Sequence, residues 1–303
     1  MVIVSQDKSD LFFANRLAKV INVVGVVVEN QLPERDSSSL LRKSLKYASR
    51  PATFAKKCAE VLDRRFNEPK QLYNRPENAL DFGEEGRAQA IGKEDVESRG
   101  ERVPVWHTRG VNDINSPENR EWICNLQPDV IAVCGASILK ADLLSVPRHG
   151  VLNLHGGLSQ FYRGLFTTDW AIHNAEPECV GATVHFVASG VDDGDVIYQG
   201  RPVIQGDDHP NSLYAKVVRL GVEMMTQAII DIEHGCCRSV RLSRKGPLYL
   251  NHMFDVRAKR RTWQQVRKGV IPDYLSHKVE RDARVITELI NDFALAKPEI
   301  SKR

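Results

Sequence analysis

The chain is poor in the features that mark secreted, membrane-bound or metal-stapled proteins. Its 303 residues hold six cysteines, at 58, 124, 134, 179, 236 and 237, with no repeated Cys-x-x-Cys spacing. Neither a disulfide framework nor a zinc site is suggested. Cys134 sits in an apolar run and reads as a small buried hydrophobe, and the vicinal pair Cys236-Cys237 is given no function. No stretch approaches the eighteen or so apolar residues of a membrane span, and the start Met1-Val-Ile-Val-Ser-Gln6 lacks the basic segment and apolar core of a signal peptide. A cytoplasmic protein is the expectation. An excess of one charge is missing too, since 42 Lys and Arg against 39 Asp and Glu leave only +3 overall. What remains, 42% hydrophobic and 27% charged residues, suffices for one Rossmann-type domain and a smaller appendage.

Along the chain, residues 2 to 4 predict a first strand, residues 10 to 20 a helix, and residues 21 to 28 a second strand. The second run is nearly all β-branched, which implies burial on both faces. Residues 36 to 68 read as one or two amphipathic helices with a solvated charged face, and residues 69 to 101 as a polar loop or partly ordered excursion before a strand at 103 to 106. Ser116 as cap and Pro117 at the first helical position start a helix running to about 126. Strands at 130 to 133, 151 to 154, 182 to 187 and 196 to 198 alternate with helices at 165 to 174 and 210 to 233. Repeated β-α-β order predicts an α/β fold with a doubly wound Rossmann-like sheet. The expected division is a catalytic domain over 1 to 235, with a helical insertion at about 36 to 101, and a basic C-terminal extension over 236 to 303.

Polar groups emerge where the apolar run 151 to 154 ends, and an open α/β sheet places its ligands at strand ends of this kind. Asn153 and His155 are two apart, so on a strand they share a face. A donor amide beside an imidazole suits a reaction passing through a tetrahedral oxyanion. Asp192 could complete the set from the turn Val191-Asp-Asp-Gly194. A single Asn or His at a strand end is more often a hydrogen-bonded structural residue, so spacing alone leaves both readings open.

The stretches Pro128-Asp-Val-Ile-Ala-Val-Cys-Gly135, Ser137-Ile-Leu139, Val151-Leu-Asn-Leu-His155, Tyr162-Arg-Gly164, Gly181-Ala-Thr-Val-His-Phe186 and Val191-Asp-Asp-Gly194 together resemble the 10-formyltetrahydrofolate-dependent formyltransferase family, in order and in gaps. That family includes glycinamide ribonucleotide formyltransferase, methionyl-tRNA formyltransferase and the N-formyltransferases of nucleotide-linked amino sugars. The resemblance implies that Asn153, His155 and Asp192 are catalytic. Asn153 and a protonated His155 would hold the oxyanion, and Asp192 would favour the imidazolium and relay the amine's proton. It also implies 10-formyltetrahydrofolate as co-substrate, without a metal. The pterin would lie between Ser137, Ile138 and Leu139 on one side and the turn of Val187, Ala188, Ser189, Gly190 and Val191 on the other. Tyr162, Arg163 and Gly164 would face the acceptor.

Departures from the family pattern bear on that acceptor. Where many relatives carry His-Pro-Ser-Leu-Leu-Pro or His-Gly-Ser-Leu-Leu-Pro, this chain reads His155-Gly-Gly-Leu-Ser-Gln160, so a more mobile loop is expected. Glycinamide ribonucleotide formyltransferases cradle a phosphate in a glycine-rich first turn; here that turn is Ser5-Gln-Asp-Lys-Ser-Asp10, with two carboxylates and no glycine. Methionyl-tRNA formyltransferases add a β-barrel, whereas residues 238 to 303 show no regular short strands. That tail holds sixteen Lys or Arg against seven Asp or Glu. A phosphate-bearing partner such as tRNA is one reading, and a basic helix docked on the core through Leu248, Leu250, Met253, Phe254, Trp263, Val266 and Ile271 is the other. A small, nucleotide-linked amino-sugar amine is the expected acceptor. The alternatives are methionyl-tRNA, another small amine including glycinamide ribonucleotide, or a folate- or nucleotide-binding module without turnover; a homodimer is left open.

Overall fold

The computed structural model describes residues 1–30, 82, 83, 86, 96–98, 101–188 and 190–296. Most of the expected insertion, with Cys58, and residue Ser189 lie outside the described residues. The strands are β1 (Val2–Ser5), β2 (Val26–Glu29), β3 (Val96–Ser98), β4 (Glu101–Val103), β5 (Val105–His107), β6 (Ile131–Cys134), β7 (Val151–His155), β8 (Arg163–Gly164), β9 (Ala182–Phe186), β10 (Val196–Gly200) and β11 (Leu248–Tyr249). Seven of them form a sheet in the order β10-β9-β7-β6-β1-β2-β5. β5, β2, β1, β6 and β7 run parallel; β9 is antiparallel to β7, and β10 to β9. β1, β2 and β6 are buried along their whole length, as strands covered on both faces must be.

The two faces divide the core by the two-residue period of the strands. Val2, Val4, Val26, Val28, Ala132, Leu152 and Leu154 face one layer, against α1 (Lys8–Val20) and the long helix spanning Pro210–Glu233. Ile3, Val27, Ile131, Val133 and Val151 face the other, against α2 (Pro117–Asn125) and α3 (Ala141–Leu144). Asn153 and His155 continue the row that Val151 begins, so the second layer ends in polar side chains at the C-terminal edge of β7.

Several local expectations shift. The second strand begins at Val26 rather than 21, because Val26 is the residue that pairs with Val2 and residues 21 to 25 have no strand beside them. The expected strand at 103 to 106 is interrupted at Pro104, which has no N–H to donate, although its carbonyl accepts from the Val26 N–H at 3.0 Å. α1 starts at Lys8, two residues early, on Asp7. The Ser116 cap of α2 is as expected, its hydroxyl accepting from the Asn119 N–H with Pro117 at the first position.

The tail contains β11, which pairs in parallel with β8, a short strand that the sequence pattern does not show. The remaining α-helices among the described residues are α4 (Thr167–His173), α5 (the Pro210–Glu233 helix), α6 (Val256–Arg267), α7 (Val270–Ser276), α8 (Lys278–Ile286) and α9 (Phe293–Ala296). α6 docks on the body: Ala258, Thr262 and Trp263 are buried, Trp263 stacks on His209 at 5.6 Å, and the Gln265 amide donates to the His173 carbonyl at 3.3 Å. Ile271 is 1% exposed, whereas Leu250 and Met253, expected to dock as well, stand 42% and 43% exposed. No described helix is long and apolar enough to cross a membrane.

Candidate active site

β7 and β9 bring the candidate residues together. Their antiparallel register sets Asn153 opposite His185, and the Asn153 Nδ2 lies 3.2 Å from the His185 Nε2. The turn between β9 and β10 folds Asp192 back over β7, with its backbone in the left-handed region at φ +47°. Its Oδ2 lies 3.3 Å from the His155 Nδ1 and accepts from the Gly164 N–H at 2.8 Å, while Oδ1 lies 3.6 Å from the His185 Nε2. Both imidazoles are 4% exposed or less. Asn153, His155 and Asp192 therefore form one cluster, as expected, and His185 joins it. His185 lies inside the family-like stretch 181 to 186, but the sequence pattern gives it no role; its place follows from the β7–β9 register, which a single-strand pattern does not reveal.

Hydrogen bonding orders the cluster. The His155 Nε2 is 2.9 Å from the Tyr162 carbonyl and its Nδ1 faces the Asp192 carboxylate, so the doubly protonated ring is the form in which both nitrogens donate. Both ring nitrogens of His155 are thereby engaged, Nε2 by the Tyr162 carbonyl and Nδ1 by Asp192. The His185 Nδ1 lies 2.7 Å from the Phe186 carbonyl, and its Nε2 stands between the Asn153 amide and the Asp192 carboxylate. Burial pushes the Asp192 carboxyl upward, but His155, then His185 in its charged form, then the Gly164 N–H more than offset it, and the pKa falls well below the carboxylate range.

The loop after His155, expected to gain mobility, is instead pinned. The Thr167 hydroxyl donates to the Gly156 carbonyl at 2.5 Å and the Thr183 hydroxyl to the Gly157 carbonyl at 2.7 Å. Gln160 is 3% exposed, and its amide pairs with that of Gln199 at 3.0 and 2.6 Å. Gly157 is required for space: a Cβ there would lie 2.8 Å from the His155 Nε2 and 2.9 Å from the Tyr162 carbonyl.

Of the residues expected to face an acceptor, Tyr162 is 2% exposed and its hydroxyl donates to Glu176 at 2.5 Å. Its part in the cluster is its carbonyl. Gly164 contributes its N–H, at φ +87°, where a Cβ would meet the Tyr249 carbonyl at 2.1 Å. Arg163 donates from Nε to the Gly246 carbonyl at 2.9 Å and from Nη1 to the Val191 carbonyl at 3.3 Å, which ties the Asp192 turn to the loop after β7.

A family model described as formyl transferase matches residues 63–229, more than half of the chain. The chain belongs to the formyl transferase family. It is similar to the methionyl-tRNA formyltransferase of Caldanaerobacter subterraneus, 33% identical over 122 residues that cover 40% of this chain and 39% of that protein. It is also similar to that of Alkaliphilus oremlandii, 28% identical over 184 residues, 60% and 56% of the two. The chain thus spans less than two thirds of these curated relatives. A sugar N-formyltransferase from a Shewanella species shares the fold, with a TM-score of 0.50 at 14% identity over 88% of this chain and 86% of that one.

A folate-sized heterocycle needs apolar walls and exposed backbone groups, and this formyl transferase offers both beside Asp192. Ile138 is 72% and Val191 38% exposed, whereas Leu139 is 6% exposed and packs with Val187 in the core. The Ile138 loop is held rigidly: Glu29, 4% exposed, accepts from the Ser137 N–H at 2.7 Å and the Asn112 N–H at 2.9 Å, and Asn115 donates to the Ile138 carbonyl at 2.9 Å. The Ser137 hydroxyl accepts from the Asn112 N–H at 3.2 Å. Ala188 and Gly190 are exposed on the facing turn. These residues fit the pterin. No group of three or more His, Cys, Asp or Glu able to hold a metal occurs among the described residues.

Proposed function

We propose that the chain transfers a formyl group from 10-formyltetrahydrofolate to an amine, and that the acceptor is a small, nucleotide-linked amino sugar. The observation that carries the transfer reading is the Asp192 carboxylate, its side chain only 10% exposed, beside the buried His155, with the Asn153 amide on the same face of β7. The folate would be held by the exposed Ile138 and Val191 with the exposed Ala188 and Gly190, over the Leu139–Val187 packing beneath, and it supplies a formyl group already activated for attack by an amine. Asn153 presents an N–H donor to the developing oxyanion, and His155 sets a positive charge on the same face of the strand. Asp192 balances the imidazolium, and it can take the proton that the attacking amine sheds and return it to the folate nitrogen as the bond from that nitrogen to the formyl carbon breaks, giving the formamide and tetrahydrofolate. His185 holds the Asn153 amide in position through its Nε2, and Tyr162 fixes the other end of the His155 ring.

The acceptor reading rests on the first turn. Asp10 is 3% exposed there, and the hydroxyls of Ser5 and Ser9 donate to it at 2.6 and 3.0 Å. A carboxylate thus fills the space where an anion would meet the N-terminus of α1, and a ribonucleotide phosphate placed there would meet like charge. The named function of the two methionyl-tRNA formyltransferases favours tRNA as the second reading. Incubating the protein with 10-formyltetrahydrofolate and a panel of a nucleotide-linked amino sugar, glycinamide ribonucleotide and methionyl-tRNA decides between them. The expected product is the amino sugar heavier by one formyl group, with matching folate deformylation. Formylation of methionyl-tRNA alone would promote the second reading, and no deformylation with any amine would remove the transfer reading.

A further inference from the structure

With the first turn closed to phosphate, an anionic acceptor needs its cations elsewhere, and the described residues contain one built set. Residues 238 to 247 cross the mouth of the site as a strap. It is fastened to β10 by paired backbone bonds between Val196 and Val240, both 2.8 Å. It is fastened to the loop after β7 by the Gly246 N–H on the Ser159 carbonyl at 2.9 Å and by the Arg163 N–H on the Pro247 carbonyl at 3.1 Å. Gly246 must be glycine for that crossing, since a Cβ would lie 2.4 Å from the Phe161 backbone carbon.

The strap carries Arg241, Arg244 and Lys245 toward Arg163. Arg244 is already engaged, 3.5 Å from Glu288 and stacked over Phe161 at 5.5 Å. The other three are placed around the turn that carries Asp192. Lys245 pairs directly with Asp193, Arg163 is bonded to the Val191 carbonyl of the same turn, and Arg241 follows Val240, which is bridged to Val196 just after it. Lys245 is thus paired, while Arg163 and Arg241 bring two further positive charges to the turn that carries Asp192. Arg241 is exposed and makes no side-chain hydrogen bond or salt bridge among the described residues. The side-chain bonds of Arg163 use Nε and Nη1, so its Nη2 is the fork position that remains. A forked guanidinium, a second guanidinium and an ammonium around one opening suit a multidentate oxyanion.

We propose that Arg163, Arg241 and Lys245 form the subsite for the diphosphate of the acceptor, a role that rests on the formyl-transfer reading and names where the acceptor's charge is held. The folate's glutamate carboxylates are the other oxyanions in such a reaction. They are disfavoured by position, because the Ser137–Leu139 loop follows β6, whereas the strap runs from β10 to the loop after β7.

The test begins with binding, which does not depend on turnover. Calorimetric titration with inorganic pyrophosphate and with a nucleoside diphosphate should show saturable binding that weakens with added salt. Arg241→Ser and Lys245→Ser should each weaken it by roughly tenfold, the usual weight of a charge-assisted hydrogen bond. Arg241→Ser anchors no backbone, so an unchanged thermal midpoint verifies that the variant is folded. In turnover the same variants should raise the KM for the nucleotide-linked acceptor and leave the KM for the folate donor as it was. Pyrophosphate binding that ignores both substitutions would overturn the subsite, even if formyl transfer is confirmed. A rise confined to the folate KM, growing with the number of glutamates on the folate, would assign the cations to the folate tail and overturn it equally. If pyrophosphate binds as expected while no amine is formylated, the subsite stands and the transfer reading falls.

Discussion

Two aspartates at the C-terminal edge of the sheet, Asp10 buried and Asp192 largely so, show how the same side chain is put to opposite uses. Asp192, carried on the turn after β9, meets two imidazoles and a backbone N–H. Asp10, in the first turn of α1, meets only neutral donors: the hydroxyls of Ser5 and Ser9 and the Cys134 thiol at 3.5 Å. Burial raises the carboxyl pKa in both places. At Asp192 the histidines more than reverse it, whereas at Asp10 the hydroxyls do not, and the pKa is pushed up to about 6. Neutral hydrogen bonds make a buried carboxylate tolerable; an adjacent cation makes it an anion under all working conditions. Cys134 is buried in the core as expected, and its thiol also donates to Asp10 and is pushed upward by burial and by that carboxylate.

Replacing the two aspartates should separate their roles most sharply. Asp192→Asn removes the carboxylate that faces the His155 Nδ1 and would relay the amine's proton, and its kcat should fall by about a thousandfold with folate affinity retained. Asn153→Ala and His155→Ala should each lower kcat by about a hundredfold. Near-normal turnover in any of the three, measured by folate deformylation, would break the assignment of the trio. His185→Ala leaves the Asn153 amide without its partner and should cost less, roughly tenfold in kcat, because it acts by positioning. Recovery in His185→Gln, whose side-chain oxygen can accept from Asn153, would identify that role.

Asp10→Asn should act on stability instead. The folded pKa of Asp10, about 6, lies above its ordinary value of 3.8. The native state therefore holds the proton more tightly than the unfolded chain, and stability from this group is full at pH below about 4 and lost as pH rises through about 6. Two units correspond to about 3 kcal/mol. Denaturant unfolding at pH 4 and pH 7 should show the wild type losing about that much more than Asp10→Asn over the same interval. Asp192 has the opposite sign: its contribution is present above the ordinary carboxylate range and disappears only as pH falls below it. An equal pH slope in wild type and Asp10→Asn would put the two aspartates in the same class.

The trio is legible in the sequence because each member announces itself locally. Asn153 and His155 share a strand face by parity, and Asp192 sits in an Asp-Asp-Gly turn. The alternating β-α-β order likewise carries the sheet. What escapes depends on pairing between distant segments. His185 reaches the site only through the β7–β9 register, and the strap at residues 238 to 247 reaches it only through the bridge between Val196 and Val240. Charge density along the tail points to 257 to 267, where α6 packs on α4, and away from Arg241 and Lys245. The loop at 156 to 160 misleads for a related reason. Its glycines suggest freedom, but Thr167, Thr183 and Gln199 hold it from outside the segment. Within the expected insertion, Phe82 is 4% exposed and its ring packs on Phe12 of α1 at 5.0 Å, a contact that the polar composition around it gives no reason to expect.

If His155 and His185 keep Asp192 ionised for the reaction, carboxyl-carbon NMR across a pH titration shows it without intermediary. With the two signals assigned through Asp192→Asn and Asp10→Asn, the Asp10 carboxyl should titrate near pH 6 and that of Asp192 should remain ionised down to the acid limit of folding. An Asp192 signal that titrates at or above that of Asp10 would contradict this electrostatic role.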